Sequence, residues 1–483
     1  MFDLNSVIFS VTGLFLAIGL FFDVKKRLQT SKNQKPTSAI ESFFLNFSPL
    51  TNFEKIHKFP MPTKKPNYPD LSVLNAIRVF TILWVILGHC LVFTQSILDN
   101  GRSAKNMMTR YTFQVMNNAY LAVDTFFFLS GFLGYWSLVR RMKHPKFRFW
   151  FRLPVIYLYR YLRITIPHVA LILLVAGIWP HIGTGPFYFQ GTDYSCAKNW
   201  WVNLLYLNNF IDYTRQCVVW SWYLMVDMQV FLLLPFAVFL FIKEPIFGWG
   251  YTMAGVAAQI AIDASMTMVY KLPFTLDEPA NYQENLEITG YEEKAYNKFF
   301  GLFYIKPYTR MGPYIVGVIF CHILVAHQKT VEKMTRNKLV NRLGWLISIG
   351  MVLAIVYGPY EIFAGYRLEP LWEDAIYNAL ARMAWAVPLG WMVLSCSTGN
   401  GGVIGNMMAW NGFSIPARLS YAAYLLHPLI LTYFSQTSRR PFHVTDMNLI
   451  FLFCGTTLVT FMLSTVFSIA FESPLVGFLK GLH

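Results

Sequence analysis

Long apolar runs separated by short polar turns fill this chain from Val7 almost to its end. A run of about 20 apolar residues is what a helix needs to cross the hydrocarbon of a bilayer. Spans are predicted near 6–22, 74–95, 119–139, 154–176, 219–241, 247–265, 308–326, 343–360, 374–395, 414–434 and 448–471, with 247–265 the weakest. No repeat of fixed period and no low-complexity tract breaks the pattern. It predicts an all-α protein, a polytopic transmembrane helical bundle of about 11 spans: ten core helices plus an N-terminal helix. The chain divides into an N-terminal transmembrane helix (1–22), a linker (23–70) and a transmembrane domain (71–483). The linker is polar, carries Pro49, Pro60, Pro62, Pro66 and Pro69, and lacks the character of a domain.

Composition agrees. Of 483 residues 55% are hydrophobic, 17% aromatic and only 13% charged, where a soluble domain has about 25% charged residues. A net charge of +15 is compatible with nucleic acid or other anionic partners, but its distribution fits membrane orientation and no nucleic-acid role. The linker holds nine Lys/Arg against four acids. The turn 140–153 holds RRMKHPKFRFWFR, and 329–342 carries Lys329, Lys333, Arg336, Lys338 and Arg342. All three fall on one side of the membrane, which the positive-inside bias makes cytosolic, or the equivalent matrix side. The acids Asp277, Glu278, Glu284, Glu287, Glu292 and Glu293 fall on the other. The sequon at Asn46 lies on the cytosolic side and is expected to be unused. No cleavable signal stands out, because Val7–Phe22 runs into Asp-Val-Lys-Lys-Arg without a small-residue site.

Six cysteines are too scattered for a disulfide framework or a zinc site, and no metal site is expected. Cys196 and Cys217 share one loop region and can bridge if that side is oxidising. An oxidising side favours an endomembrane or the plasma membrane over the mitochondrial inner membrane, but the sequence does not name the membrane.

Ionisable residues inside spans are costly and mark sites or pathways. Arg78 and His89 stand eleven residues apart in one span, roughly 16 Å along a helix. His89 lies roughly 9 Å inside, Asp124 roughly 8 Å, His427 roughly 10 Å and Asp227 roughly 12 Å, all counted from the far face. A histidine backed by a carboxylate is the usual general base, so His89 with a carboxylate such as Asp124 is the expected catalytic pair, although the sequence does not fix which carboxylate partners which histidine. His427 and Asp227 are either catalytic or structural, since a membrane His or Asp often only bonds a neighbouring helix. Near the opposite surface Arg160 and Arg163 share a helix face, and Arg78 enters from the same side. Converging guanidinium forks suit phosphates. Snorkelling explains most of the 140–153 charges, but it explains Arg160 and Arg163, past Pro154, less well. An anionic head at one surface and a reactive group about 16 Å deeper fit acyl-coenzyme A, whereas lipid phosphates carry their esters too near the head.

These residues lie in segments that together resemble the membrane acyltransferase-3 superfamily, in its nose-resistant-to-fluoxetine-like branch. The resemblance runs from about Asn46 to Pro474: LNAIRVFTILWVILGHC with its Arg-x10-His pattern, VDTFFFLSGFLGYW at 123–136, YRYLR at 159–163 and NWWVNLLYLNNF at 199–210. WSWYLMVDMQVFLLLP at 220–235, KPYTRMGPYIVGVIF at 306–320, RLSYAAYLLHP at 418–428 and FESP at 471–474 follow in the family order. The resemblance implies an integral membrane enzyme that moves an acyl group from a cytosolic donor to a hydroxyl-bearing acceptor. It assigns the histidine to His89, the first arginine to Arg78 and the paired arginines to Arg160 and Arg163. Asp124, Asp227 and His427 fall in family-like motifs with less settled roles. Cysteines are common in that branch where Cys196 and Cys217 stand, which favours their bridge. Members often carry a large N-terminal extramembrane domain, where this chain has almost nothing, so recognition performed there is expected to be absent or delegated.

The leading expectation is an O-acyltransferase whose arginines hold the phosphates of acyl-CoA, a co-substrate with no permanently bound cofactor, while His89 deprotonates the acceptor hydroxyl. Cys90, beside His89, reads as packing, because adjacent helical residues point about 100° apart. Two alternatives stay open: a transporter of lipids or other hydrophobic molecules, and a catalytically silent accessory subunit of a larger membrane complex.

Overall fold

The computed structural model describes residues 2–28, 38–59, 69–188, 191–274, 298–367 and 370–481, and these are helical apart from turns and one isolated bridge between Leu98 and Phe442. The acidic loop from Asp277 to Glu293 and Pro60, Pro62 and Pro66 of the linker lie outside the described residues. Among those described, nine helices are long and apolar enough to cross a membrane. A tenth forms if Met311–Ala326 and Gln328–Arg336, which meet at 94°, count as one span. The expected number of about eleven is therefore not reached. Two segments account for the difference.

The first is the bent pair. Met311–Ala326 is apolar, but the chain then turns at His327 into Gln328–Arg336, which buries Val331 and Thr335 and exposes Lys329, Lys333 and Arg336. That one-sided pattern suits a helix lying in an interface rather than crossing it. The second is Ser414–Thr437, a 24-residue helix whose Arg418, Ser420, Tyr421 and Tyr424 lower its apolarity. Those residues line a cavity.

The elements that shape the interior are α1 (Phe2–Leu28), α2 (Ala39–Leu45), α3 (Pro49–His57), α4 (Val73–Val92), α5 (Gly101–Met108), α6 (Leu121–Met142), α7 (Phe149–Leu173), α8 (Gly191–Leu204) and α9 (Trp222–Phe231). They continue with α10 (Pro245–Tyr270), α11 (Met311–Ala326), α12 (Leu371–Ser397) and α13 (Ser414–Thr437). Helices α6 and α11 touch through their backbones. A Cβ on Gly131 would stand 2.1 Å from the Tyr314 carbonyl oxygen, and one on Gly317 2.2 Å from that of Phe128. Small residues at a crossing are how membrane helices gain close packing.

The described part of the linker is an ordered strap. Ser48 caps α3, and the buried Asp23 of α1 accepts from Ser48, from Thr51 at 2.7 Å and from Arg27 at 2.9 Å. At the far end of α3, Arg418 of α13 donates to the carbonyls of Lys55, Ile56 and Lys58 at 3.0, 2.7 and 2.7 Å. The strap is thus stapled between the first helix and the bundle.

Candidate functional site

Two large cavities enter the bundle and nearly meet. The first, about 1170 Å³, is lined by Arg78, Arg160 and Arg163, by Lys55 and Lys58 of the strap, and by Glu472. The second, about 940 Å³, is lined by His89 at the C-terminal end of α4 and by an aromatic wall. Phe126, Tyr223 and Tyr424 belong to both linings. Their rings touch in series, Phe126–Tyr223 with centroids 6.0 Å apart and Tyr223–Tyr424 5.4 Å apart, and form a thin aromatic partition. Each of the three π-turns among the described residues supplies cavity wall: Val175 and Tyr304 to the second, Ser468 and Glu472 to the first. Such turns recur at functional sites because they widen a helix locally.

Of the four titratable groups expected in one stratum, the structure joins two. His89 Nδ1 lies 2.7 Å from His427 Nε2, and the rings stack at 16° with centroids 5.0 Å apart. His427 Nδ1 lies 2.9 Å from the carbonyl oxygen of Ala423, one turn earlier on α13. A carbonyl only accepts, so His427 Nδ1 carries the proton and its Nε2 is left as an acceptor. His89 Nδ1 must then donate, which leaves the lone pair on His89 Nε2. That nitrogen has no partner among the described residues, on a side chain that lines the second cavity. A backbone carbonyl, relayed through a second histidine, fixes the tautomer a general base needs.

The expected carboxylate is elsewhere. Asp124 is fully buried and accepts from Arg310 Nη1 at 2.9 and 3.0 Å, inside the bundle rather than behind His89. Arg310 also donates from Nε to the Tyr304 carbonyl at 2.9 Å and lies over the rings of Tyr304 and Trp222. Nearby Arg382 donates to Thr309 O at 3.0 Å, and Asp263 accepts from Gln259 at 3.2 Å. No motif singles out Arg310, Arg382 or Asp263 as a site residue, although each is an ionisable residue in or beside an apolar run and carries the same signal as Arg78.

Asp227 also leaves the histidine stratum. It pairs with Arg160 and accepts from Ser130 on α6, while Arg160 lies over the Phe231 ring at 4.0 Å. The Arg160 charge is therefore neutralised in place. Arg78 and Arg163 donate no hydrogen bond to any described residue, and both line the first cavity. Glu472, which accepts from Ser468 at 2.9 Å, lines the same cavity and adds one negative charge to it. Two guanidiniums with no hydrogen-bonded carboxylate of their own are suited to an anion.

The asparagines of NWWVNLLYLNNF are scaffold. Cys196 and Cys217 form a disulfide, and Asn203 and Asn208 both donate to the Cys217 carbonyl, at 3.1 and 2.9 Å. Asn209 ties the same corner to Ile305 at 3.1 Å. Among the described residues no group of three or more His, Cys, Asp or Glu converges in a way that could hold a metal ion.

With this geometry in view, the comparisons decide the family. A family model described as an acyltransferase domain, acyltransferase family 3, matches residues 71–469. The chain belongs to the acyltransferase-3 family. It is 30% identical over 498 aligned residues to nose resistant to fluoxetine protein 6 of Caenorhabditis elegans, covering 98% of this chain and 58% of that protein. It is 26% identical over 427 residues to regulator of hypoxia-inducible factor 1 of the same organism, covering 84% of this chain and 79% of that one. The chain thus spans little more than half the length of the first relative. No solved structure matches. The matched interval contains Arg78, His89, Arg160, Arg163 and His427 and thus most of both cavity walls, while Lys55 and Lys58 of the strap precede it and Glu472 follows it.

Proposed function

We propose that this membrane protein is an O-acyltransferase that takes its acyl group from acyl-CoA in the basic cavity and passes it to a hydroxyl at His89. Arg78 and Arg163 bind the donor's phosphates, with the strap lysines at the cavity wall. Arg160, already paired with Asp227, serves as wall and not as a phosphate ligand. The pantetheine arm runs along α4 toward the aromatic partition, over the roughly 16 Å from Arg78 to His89. His89 Nε2 accepts the proton of the acceptor hydroxyl as its oxygen attacks the thioester carbonyl. The C–S bond breaks, and the departing sulfur takes the proton back from His89. His427 holds the imidazolium by accepting from its Nδ1–H. The basic end faces the cytosol by the positive-inside bias, where acyl-CoA is available.

The observation that carries this reading is the carbonyl–His427–His89 chain, which leaves a base lone pair at the cavity. Its test is acetyl-CoA turnover by purified protein in lipid nanodiscs, read as free thiol. General-base catalysis supplies about 10²–10⁴-fold, so His89→Ala should lose at least a hundredfold. His427→Gln, which keeps an acceptor for His89, should lose far less than His427→Ala. Unchanged turnover in His89→Ala refutes the proposal. A second reading, transport of a hydrophobic molecule, is favoured by two cavities that enter separately and stop at a shared ring partition. Uptake into vesicles without any thioester, unaffected by His89→Ala, would support it instead.

A further inference from the structure

The second cavity differs from the first in kind. The first carries seven lysines and arginines (Lys55, Lys58, Arg78, Arg141, Arg160, Arg163 and Arg418) against Asp227 and Glu472. The second has one formal charge, Lys105, and no acid, and 13 of its 34 lining residues are Phe, Trp or Tyr. Several of its polar side chains sit at the outer ends of helices, Gln95 and Ser96 beyond α4, Thr109 beyond α5, Ser435 and Gln436 at the end of α13, and Asn117, Thr432 and four tyrosines complete the polar lining. Val85, Val123, Phe126, Trp220 and Leu429 belong to its apolar wall, and Phe93 of the same wall packs edge-on against His89 with ring centroids 5.2 Å apart.

Building on the acyl-transfer reading, we propose that this second cavity is the acceptor site and that it takes an uncharged, predominantly apolar alcohol of lipid size. A phosphorylated or acidic acceptor would find only Lys105, and a cationic one no counter-charge. A sugar could stack on the rings, but each hydroxyl left unpaired against an apolar wall is penalised. An alcohol with a single hydroxyl escapes this cost by presenting it to His89 Nε2 and laying its body against Trp220, Trp179 and Phe300. At about 940 Å³ the space lies near the top of the range for small-molecule sites. The two substrates then sit on opposite sides of the Phe126–Tyr223–Tyr424 partition. The acceptor oxygen attacks the thioester carbonyl beside those rings, its proton goes to His89, the C–S bond breaks, and an ester and free CoA result.

The test offers 1-dodecanol, 1-butanol and glucose as acceptors to the full chain in phosphatidylcholine nanodiscs, with acetyl-CoA or palmitoyl-CoA as donor. Each buried methylene strengthens binding roughly fourfold. The dodecyl ester should therefore form with a KM at least tenfold below that of butanol, and glucose should be inert. Val123→Trp, which fills the inner wall, should raise the KM for dodecanol at least tenfold and leave that for acyl-CoA within twofold. If that variant does not fold, the alcohol series in the unaltered protein decides alone. Ester formation on glucose with dodecanol inert, or His89-dependent thioester cleavage with dodecanol unconsumed, overturns the acceptor class and leaves acyl-CoA turnover standing. No His89-dependent cleavage with any acceptor sinks the acyl-transfer reading and this assignment with it.

Discussion

Replacing Asp124 by Asn separates a structural carboxylate from a catalytic one. Asp124 and Arg310 have no exposed side-chain surface, and one guanidinium nitrogen, Nη1, serves both carboxylate oxygens. Arg310 Nη2 is buried without a partner, so the arginine has no spare acceptor to fall back on. Removing one partner of a buried ion pair costs about 3–5 kcal/mol, because the other charge is stranded. Asn keeps one oxygen as acceptor, which places Asp124→Asn near the lower end, about 3 kcal/mol. A 150–250-residue domain shifts its midpoint by about 2–4 °C per kcal/mol, and a longer chain by less, so a fall on the order of 5 °C is expected. The assay is thermal loss of the monodisperse peak in detergent. Asp124→Leu with Arg310→Leu should recover most of the loss, since replacing both charges by apolar groups is often neutral. Because Arg310 supports Tyr304 and Trp222, both in the wall of the second cavity, the single variant should also raise the KM for the acceptor. An Asp124→Asn protein with an unshifted midpoint and abolished turnover would refute this reasoning and return Asp124 to the chemistry.

Gly131→Ala or Gly317→Ala drives a methyl into a backbone carbonyl at 2.1–2.2 Å, and overpacking of this kind costs about 1–3 kcal/mol, measurable as a lower midpoint or loss of monodisperse protein. Arg78→Leu and Arg163→Leu should each raise the KM for acyl-CoA about tenfold or more, steeply so at low salt, with little change in midpoint. Arg160→Leu should instead lower the midpoint, because it strands Asp227. Cys196→Ser opens a disulfide between residues 21 apart, which cross-link entropy values at about 3 kcal/mol; the loss should be abolished when the unaltered protein is compared under reducing conditions.

The parts legible in the sequence were those that a one-dimensional count can reach. Run length located the helices, and eleven-residue spacing put Arg78 and His89 at opposite ends of α4. Depth arithmetic brought His89 and His427 to the same level, and they touch. The same arithmetic placed Asp124 and Asp227 at that level but could not say which way around a helix each faced. Asp124 turns toward α11 and Asp227 toward α7, where arginines neutralise them. Helix α13 lies where the 414–434 run predicts a span, but the polar residues that make it a cavity wall leave it less apolar than the other spans. The short helices of the linker are beyond such counting for another reason: they owe their order to Asp23 and Arg418, tertiary partners that lie well outside the α2–α3 segment.

The replacement of a carboxylate by His427 behind His89 follows from where the site lies. The two carboxylates expected beside the histidines are each matched to a guanidinium instead, Asp124 to Arg310 and Asp227 to Arg160. An isolated ion in such surroundings costs several kcal/mol. A carboxylate behind His89 would need its own cation, and a cation there would oppose the imidazolium that forms during proton transfer. A neutral histidine anchored to the Ala423 carbonyl fixes the same tautomer with no net charge. It stabilises the imidazolium less than a carboxylate would, but leaves His89 free to accept a proton beside an apolar wall. The charge needed to hold the donor is kept on the other side of the aromatic partition, where the cavity opens between strap and bundle. The separation of Arg78 from His89 is therefore electrostatic as well as metric: it sets a cationic binding end apart from an uncharged reacting end.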